Sequence, residues 1–188
     1  MVEPSASTDW YVVQVTSGQE ERMCARIMRA CNEAHVSVVR ECFSPSFTTR
    51  RKYKGQWQEV QKNLLPGYVI AVTDDAPELQ RVLWTIREYA RVVKAGEAYA
   101  PLAKDERVWI DKSTHEGERV IPLSVAYKEG DKIVVESGPL KGREGAITRI
   151  NRKKCLATIE LHIGNSRIVT QVGLAVLPAE KQWRGPMR

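Results

Sequence analysis

Leu64-Leu65-Pro66-Gly67-Tyr68-Val69-Ile70-Ala71-Val72 is the stretch of sequence that decides the fold of the first part of the chain. Pro66 fixes its own φ angle, Gly67 permits a tight turn, and a run of β-forming residues follows at once. The pattern predicts a buried strand that begins sharply at Tyr68. Because side chains alternate along a strand, Tyr68 and Ile70 share one face of the sheet. Taken alone, the stretch is also compatible with an ordinary core strand after a Pro-Gly turn.

The composition is typical of a globular protein. The chain has 188 residues, of which 43% are hydrophobic and 28% are charged, as expected for one domain or two small ones. No apolar run approaches the roughly 20 residues that span a bilayer. The N-terminus also lacks a basic segment followed by an apolar one. We therefore expect a cytoplasmic protein that makes no membrane contact.

The sequence contains no recognisable metal or catalytic motif. Cys24, Cys31, Cys42 and Cys155 form no CxxC pair, so reduced structural thiols are expected. The three histidines have no acidic or cysteine partner at ligand spacing. The sequence has no nucleophile elbow and no HExxH, and the loop GPLKGREG (138–145) lacks the Lys-Ser/Thr end of a phosphate cradle. We expect a protein that is not an enzyme and has no catalytic residues, no cofactor and no metal.

The excess positive charge lies in the last third of the chain. Residues 1–127 carry 17 Lys and Arg against 17 Asp and Glu, whereas residues 128–188 carry 12 against 6. Clustered cations attract polyanions and release counterions when they contact phosphates. The alternative interpretation is a solvated basic surface that keeps the protein soluble.

The first residues alternate between strand and helix patterns. Residues 1–8 are small and polar and predict a frayed terminus. The run WYVVQV (10–15) predicts a strand. The following Ser17-Gly18-Gln19-Glu20 is a capping-box pattern, and it predicts a helix that ends near Ala34.

Two further helices are predicted after the Pro-Gly-Tyr strand. Asp74 or Asp75 is expected to cap the first of them. A short strand follows at 91–95, and a third helix is expected over 101–113 with Leu102, Val108 and Trp109 on its buried side.

Residues 48–62 predict a polar two-stranded ribbon that turns at Lys54-Gly55. A basic cluster with Tyr53 and Trp57 among it is compatible with contact with nucleic acid, non-template DNA included, through phosphates and stacking, although basic runs on turns more often form solvated hairpin tips. The cluster consists of Arg50, Arg51, Lys52 and Lys54.

From residue 128 onward the pattern is that of β-structure alone. Apolar side chains alternate with mostly polar ones from Cys155 to Ile163, and Gly164-Asn165 turns the chain into further strands at 167–172 and 174–177. Five short strands in about fifty residues predict a small barrel.

Together these patterns predict an α+β protein of two domains. We expect an N-terminal α/β sandwich, with helices packed on a mainly antiparallel sheet, over 9–113. A linker at 114–126 leads to a five-stranded β-barrel over 127–178 and a tail at 179–188. No GxGxxG or GxxxxGK[ST] opens a helix, which disfavours a doubly wound nucleotide fold.

Three motifs in this order resemble the NusG family of transcription elongation factors. WYVVQ (10–14) followed by Ser-Gly and a helix resembles the start of that family's N-terminal domain. LLPGYV (64–69) resembles its Phe-Pro-Gly-Tyr strand, and EGDKIVVESGPLKGREGAI (129–147) resembles the KOW motif of an SH3-like barrel. The resemblance implies that the first domain binds the clamp helices of RNA polymerase and that the tethered KOW barrel recruits a second partner.

The resemblance also indicates which residues bind polymerase. Tyr68, Ile70 and Leu65 are expected to line an apolar depression that receives a helical hairpin. The full set is Trp10, Leu65, Pro66, Gly67, Tyr68 and Ile70.

The barrel resembles that of LoaP, a specialised antiterminator of the same family, which implies binding to an RNA hairpin in the nascent transcript. Relatives that bridge to the ribosome or to a termination factor present a Phe-Gly-Arg turn. The corresponding stretch here is Ile163-Gly164-Asn165-Ser166-Arg167. We expect the protein to be a monomer. Its predicted RNA-binding residues are Lys141, Arg143, Arg149, Arg152, Lys153, Lys154 and Arg167.

Two alternatives stay open at this point. One is a general NusG-type factor whose KOW domain bridges to the ribosome or a termination factor. The other is a ribosome-associated RNA-binding protein, which would also carry a basic KOW barrel but would not need the WYVVQ and LLPGYV motifs.

Overall fold

A computed structural model describes residues 9–130, 132–163 and 166–178 of the chain. Our predictions for the frayed terminus 1–8, the turn Gly164-Asn165 and the tail 179–188 lie outside the described residues. The helices are α1 (Glu20–Glu33), α2 (Ala76–Leu83) and α3 (Lys104–Ser113). The strands are β1 (Asp9–Val15), β2 (Val39–Phe43), β3 (Ser46–Tyr53), β4 (Gln56–Asn63), β5 (Tyr68–Thr73), β6 (Ala90–Val92), β7 (Lys94–Ala95), β8 (Ala98–Tyr99), β9 (Val120–Ile121), β10 (Ser124–Glu129), β11 (Lys132–Ser137), β12 (Ile147–Asn151), β13 (Leu156–Ile163) and β14 (Ser166–Leu177).

The chain divides into two compact units made of interleaved segments. Within the described residues, the first unit holds 9–45, 63–111, 161–163 and 166–168, and the second holds 46–62, 112–130, 132–160 and 169–178. The segment 114–126, expected as a linker, contains β9 and the first residues of β10. It is structured because its apolar residues pack, Ile121 being only 1% exposed. The division into domains at 9–113 and 127–178 stays a prediction.

The first unit is built on an antiparallel sheet with the strand order β2-β5-β1-β6. Opposite residues of β1 and β5 include Trp10 with Val72, Val12 with Ile70, and Gln14 with Tyr68. Because opposite residues share a face, Trp10, Ile70 and Tyr68 lie on the same side of this sheet. We call that side the aromatic face.

The other side of the sheet is covered by α1 and α2. Val13 and Val69 pack there against Ile27 of α1 and Leu79 of α2, all of them fully buried. This arrangement confirms the predicted packing of helices on a mainly antiparallel sheet.

The helix ends differ in how well the sequence predicts them. Asp75 caps α2 by accepting a hydrogen bond from the backbone N–H of Glu78 at 2.8 Å, as expected. The prediction of a capping box at the start of α1 is wrong, because no side chain forms a capping hydrogen bond at the N-cap residue, Gln19. The third helix begins at Lys104, since Pro101 and Leu102 form sheet-like bridges instead. Val108, expected on its buried side, is 38% exposed.

The second unit contains the predicted ribbon. Strands β3 and β4 pair in a sheet of order β4-β3-β9. Their connection at Lys54 (φ 48°) and Gly55 (φ 85°) places both residues in the left-handed region, as a two-residue hairpin turn requires.

The C-terminal strands form a curled five-stranded sheet, a half-barrel of order β11-β10-β14-β13-β12. Strands β10 and β14 pair in parallel, whereas β11 with β10 and β12 with β13 are antiparallel. One long strand, β14, replaces the two short ones expected after residue 166. The α+β fold class, with its three helices, mainly antiparallel N-terminal sheet and five C-terminal strands, is confirmed.

Candidate functional site

The aromatic face of the first unit carries three of the six predicted polymerase-binding residues, Trp10, Tyr68 and Ile70. Trp10 contacts Phe43 edge to face, with ring centroids 5.2 Å apart. Trp10 is 5% exposed, and Ile70 and Leu65 are not exposed at all. These three side chains are therefore inaccessible to a partner in this conformation.

Accessible surface remains at one end of the aromatic face. Pro66 is exposed, and Gly67 and Tyr68 are partly exposed. Beside them, the Tyr89 hydroxyl donates a hydrogen bond to Gln14 Oε1 at 3.1 Å, and Tyr89 is 47% exposed. Tyr68 is thus the one aromatic residue of the predicted docking set that a partner reaches directly in this conformation. The expected open depression around Leu65 and Ile70 is not present in the described structure.

The end of β13 pairs with a residue that borders the same sheet. The N–H of Leu102 donates to the carbonyl of Trp10 at 2.7 Å, and Leu102 in turn forms an antiparallel bridge with Ile163. His162 Nδ1 lies 3.3 Å from Oε1 of Glu106, whose side chain is 5% exposed. The sequence does not predict the contact of β13 with Leu102 and Glu106, because the alternation of apolar residues in β13 indicates a buried face but not the residues that cover it.

A buried carboxylate holds the turn that leads into β5. Glu20 is 7% exposed, and its Oε1 accepts hydrogen bonds from Gly67 N at 2.7 Å and Gly18 N at 3.0 Å. Burial by itself raises the pKa of Glu20, but the backbone donors of Gly67, Gly18 and Glu20 together lower that pKa below its ordinary value. The ionised side chain therefore fixes the Pro-Gly turn against the start of α1. The sequence signal was present, since Glu20 ended the misassigned capping box.

Six cationic side chains surround one open cavity of about 310 Å³ in the second unit. We call it the cationic cavity. Among the residues that the structure describes, no carboxylate lines it. The lining residues are Thr49, Arg50, Arg51, Lys52, Lys62, Lys153 and Lys154. The structure thereby brings together two basic clusters that the sequence presents as separate candidates, the ribbon and the residues after β12.

Backbone and side-chain hydrogen bonds hold the two walls of the cationic cavity. The hydroxyl of the buried Thr49 donates to the carbonyl of Cys155 at 2.8 Å, with the carbonyl of Lys154 at 3.3 Å. Asn151 Oδ1 accepts from the N–H of Lys154 at 3.1 Å and caps the 3₁₀ turn Arg152–Lys154. Cys155 closes that turn in the left-handed region, with φ 51°. The wall that carries Lys153 and Lys154 is thus held by the Asn151 cap and by the backbone conformation of Cys155.

The charge of the cationic cavity is largely uncompensated. Arg50 forms an ion pair with Glu59 at 3.1 Å. Because both side chains are exposed, this pair contributes little to stability. Within the described ranges, the other five cations lining the cavity have no carboxylate within 4.0 Å. An anion in this position would relieve their mutual repulsion.

The remaining predicted nucleic-acid residues lie outside the cationic cavity. Lys141, Arg149, Arg152 and Arg167 are exposed and Arg143 is partly exposed. Lys54 is at the hairpin turn, with its Nζ 5.5 Å from the ring centroid of Tyr53. Sequence reasoning did not select Thr49 and Lys62, because nothing in the sequence places them beside the 3₁₀ turn.

All four cysteines are free thiols, as expected. A hydrogen bond with Cys24, together with burial, holds the pKa of Cys42 well above its ordinary value. Burial raises the pKa of Cys155, and the nearby Arg50 guanidinium opposes that rise. The described residues contain no group of three or more His, Cys, Asp or Glu side chains arranged to hold a metal ion. Nor does any helix in the described part of the chain have the length and apolar character to cross a membrane.

Comparison with known proteins identifies relatives along most of the chain. Residues 8–110 match the family model described as transcription termination factor nusG, and residues 129–162 match the KOW motif. NusG of Thermus thermophilus, a transcription termination/antitermination protein, is 28% identical over 157 residues, which cover 79% of this chain and 85% of that protein. NusG of Streptococcus pyogenes is 25% identical over 169 residues, covering 88% and 92% of the two chains.

A solved structure that concerns domain interaction in Thermotoga maritima NusG has a similar fold, with a TM-score of 0.55 and 19% identity. The match covers 89% of this chain and 93% of that one. The first family match spans more than half of the 188 residues, and the KOW match follows it in the order that the motifs predict. The chain therefore belongs to the NusG family of transcription termination and antitermination factors.

Proposed function

We propose that this protein is a cytoplasmic, monomeric elongation and antitermination factor with no catalytic step of its own. Its first unit binds the clamp helices of RNA polymerase, and its basic KOW-matched segment binds a hairpin in the nascent RNA. The two contacts belong to one chain, so polymerase binding raises the local concentration of the RNA-binding surface near the transcript.

The observation that carries the RNA contact is the exposed basic turn Arg152–Lys154. Three successive cations on a backbone-fixed turn present a dense positive surface at little cost in side-chain burial. Such a surface binds phosphates by counterion release, and proteins recognise structured RNA largely by shape and backbone. This turn therefore supports our proposal that the protein is an RNA-binding antiterminator similar to LoaP.

Support for the polymerase contact comes from Tyr68. Tyr68 is partly exposed at the end of the aromatic face, beside the exposed Pro66. Tyrosine is enriched among residues that dominate interface energies. Its position is fixed by the bond from Gly67 N to Glu20.

Polymerase binding is tested with Tyr68→Ala in a binding assay against purified RNA polymerase. We expect a loss of affinity of about tenfold or more, as for a typical interface hot spot. Tyr99→Ala is the matched control, because Tyr99 is also partly exposed but packs against the core on the helix-covered side. Equal affinity of the Tyr68 variant and the wild type would remove the proposed contact.

RNA binding is tested with the triple reversal of Arg152, Lys153 and Lys154 to Glu. We expect the affinity for structured RNA to collapse and its dependence on salt to become shallower. Polymerase affinity should stay at the wild-type level. An unchanged salt slope would exclude this turn from the RNA interface.

A further inference from the structure

We propose that the cationic cavity is a composite binding site for one unpaired polynucleotide strand, shared between the β3–β4 hairpin and the turn Arg152–Lys154. The ligand class is a phosphodiester chain of RNA or DNA. This inference rests on the proposed nucleic-acid role but goes beyond it, because it joins two basic clusters into one site and specifies a single strand.

The first argument is the geometry of the charges. Arg51 and Lys52 come from β3, Lys62 from β4, and Lys153 and Lys154 from the turn, and all line one cavity. Thr49 bonds to the carbonyl of Cys155, so the hairpin and the turn are connected directly at the base of the site. A strand that places a phosphate here meets cations from both elements at once.

The second argument is the lack of internal compensation. Only Arg50 has a carboxylate partner among the described residues that line the cavity, and that pair is exposed. Uncompensated cations around a concave surface repel one another, and an external polyanion removes that repulsion. The bond to Asn151 and the left-handed Cys155 hold the turn from within the protein.

The third argument is the aromatic content of the hairpin. Tyr53 is 48% exposed and Trp57 is 51% exposed, and both lie on the hairpin that supplies Arg51 and Lys52. Exposed aromatic rings beside a cationic groove stack unpaired bases, whereas paired bases are hidden in a duplex. This combination favours a single strand over a double helix.

The test uses the full chain and fluorescein-labelled six-nucleotide strands of RNA and DNA, with an RNA duplex as a third probe. The variants are Arg51→Glu on the hairpin and Lys153→Glu on the turn. Lys132→Glu is the control, because Lys132 is exposed in the same unit, outside the cavity, and undergoes the same change of charge. Circular dichroism verifies that each variant is folded.

We expect both cavity variants to weaken binding of the same unpaired strand by about fivefold or more at 0.1 M salt. This factor follows from the single-strand salt slope of about 0.7 per phosphate contact. Each variant should also reduce the slope of log affinity against log salt concentration by about 0.7. Lys132→Glu should leave both the affinity and this slope unchanged. Tyr53→Ala should weaken binding about fivefold or more with little change in slope. The RNA and DNA arms show which sugar the site accepts.

Three outcomes would overturn the composite site. Loss of binding in only one cavity variant would mean that hairpin and turn are separate surfaces, while the proposed RNA contact of the turn would stand. Tighter binding of the duplex than of either strand would remove the single-strand assignment. If neither variant differs from the control while the triple reversal at 152–154 still abolishes binding of structured RNA, the cavity is not the site, although the proposed function survives.

Discussion

Replacement of Glu20 by alanine tests whether one buried carboxylate fixes the turn that precedes β5. The side chain accepts hydrogen bonds from Gly67 N at 2.7 Å and Gly18 N at 3.0 Å. In Glu20→Ala both donors lose their acceptor. Gly18 is exposed, so its N–H can donate a hydrogen bond to water instead. Gly67 is only partly exposed, so water replaces its lost hydrogen bond less completely.

The expected loss follows from these two bonds. A hydrogen bond to a charged group contributes about 1.5–3 kcal/mol, and a buried donor left unpaired costs about 1–3 kcal/mol. With Gly18 largely compensated by solvent, Glu20→Ala should lower the free energy of unfolding by about 2–3 kcal/mol. The measurement is urea denaturation at pH 7, followed by circular dichroism.

The same carboxylate predicts a dependence on pH. The backbone donors lower the pKa of Glu20 in the folded protein below the ordinary value of 4.5. A group whose folded pKa is lowered contributes its stabilisation above the unfolded pKa and loses it as the pH falls through the folded pKa. The stability difference between wild type and Glu20→Gln should therefore be constant above about pH 5 and shrink below pH 4.5.

The control is Glu21→Ala, which removes the same charge from the same first turn of α1 at an exposed position. Interaction of an exposed carboxylate with the helix dipole amounts to about 0.3–1 kcal/mol. The control variant should lose no more than this. If the Glu20 and Glu21 variants are equally stable, the bond to Gly67 does not hold the turn and the reasoning is refuted.

Three further substitutions test other parts of the structure. Gly173→Ala should lower the free energy of unfolding by at least about 3 kcal/mol, because the added Cβ would lie 2.0 Å from the backbone oxygen of Thr48. The control is Gly145→Ala, whose added Cβ meets nothing within 4 Å and which should leave the thermal melt unchanged. Lys54→Asn should stabilise the protein by about 0.5–1 kcal/mol in urea titrations, since asparagine tolerates the left-handed conformation of this turn; a destabilised variant would contradict the turn geometry. Trp10→Ala should cost about 3–5 kcal/mol in the same titrations, and a loss below about 1 kcal/mol would contradict its burial in the core.

Local signals in the sequence predict much of the fold. The Lys54-Gly55 turn, the Asp75 cap and the strand after Gly67 each depend on residues within a few positions, and the structure confirms all three. The start of α3 is predicted less well, because Pro101 and Leu102 pair with residues far away in the chain. Propensity alone does not contain that information.

The candidate sites depend on long-range packing to a greater degree. Alternation along a strand predicts that Tyr68 and Ile70 share a face, but not that Trp10 joins them there or that Trp10 and Ile70 are buried. The cationic cavity joins residues more than 100 positions apart, as the bond between Thr49 and Lys154, separated by 105 positions, shows. Charge counts identify the basic clusters in the sequence, whereas only the fold brings them together.

The pairing of Ile163 with Leu102 has a consequence for folding during translation. The first unit remains incomplete when residues 9–45 and 63–111 have been translated, since Ile163 has yet to pair with Leu102. At about 5–20 residues per second, a ribosome needs several seconds to add the intervening residues 112–160. During that interval the nascent chain has an unpaired strand edge at Leu102, the kind of edge that pairs wrongly with other chains. Nascent chains arrested before residue 161 should therefore be more prone to aggregation and to chaperone binding than chains arrested after residue 168.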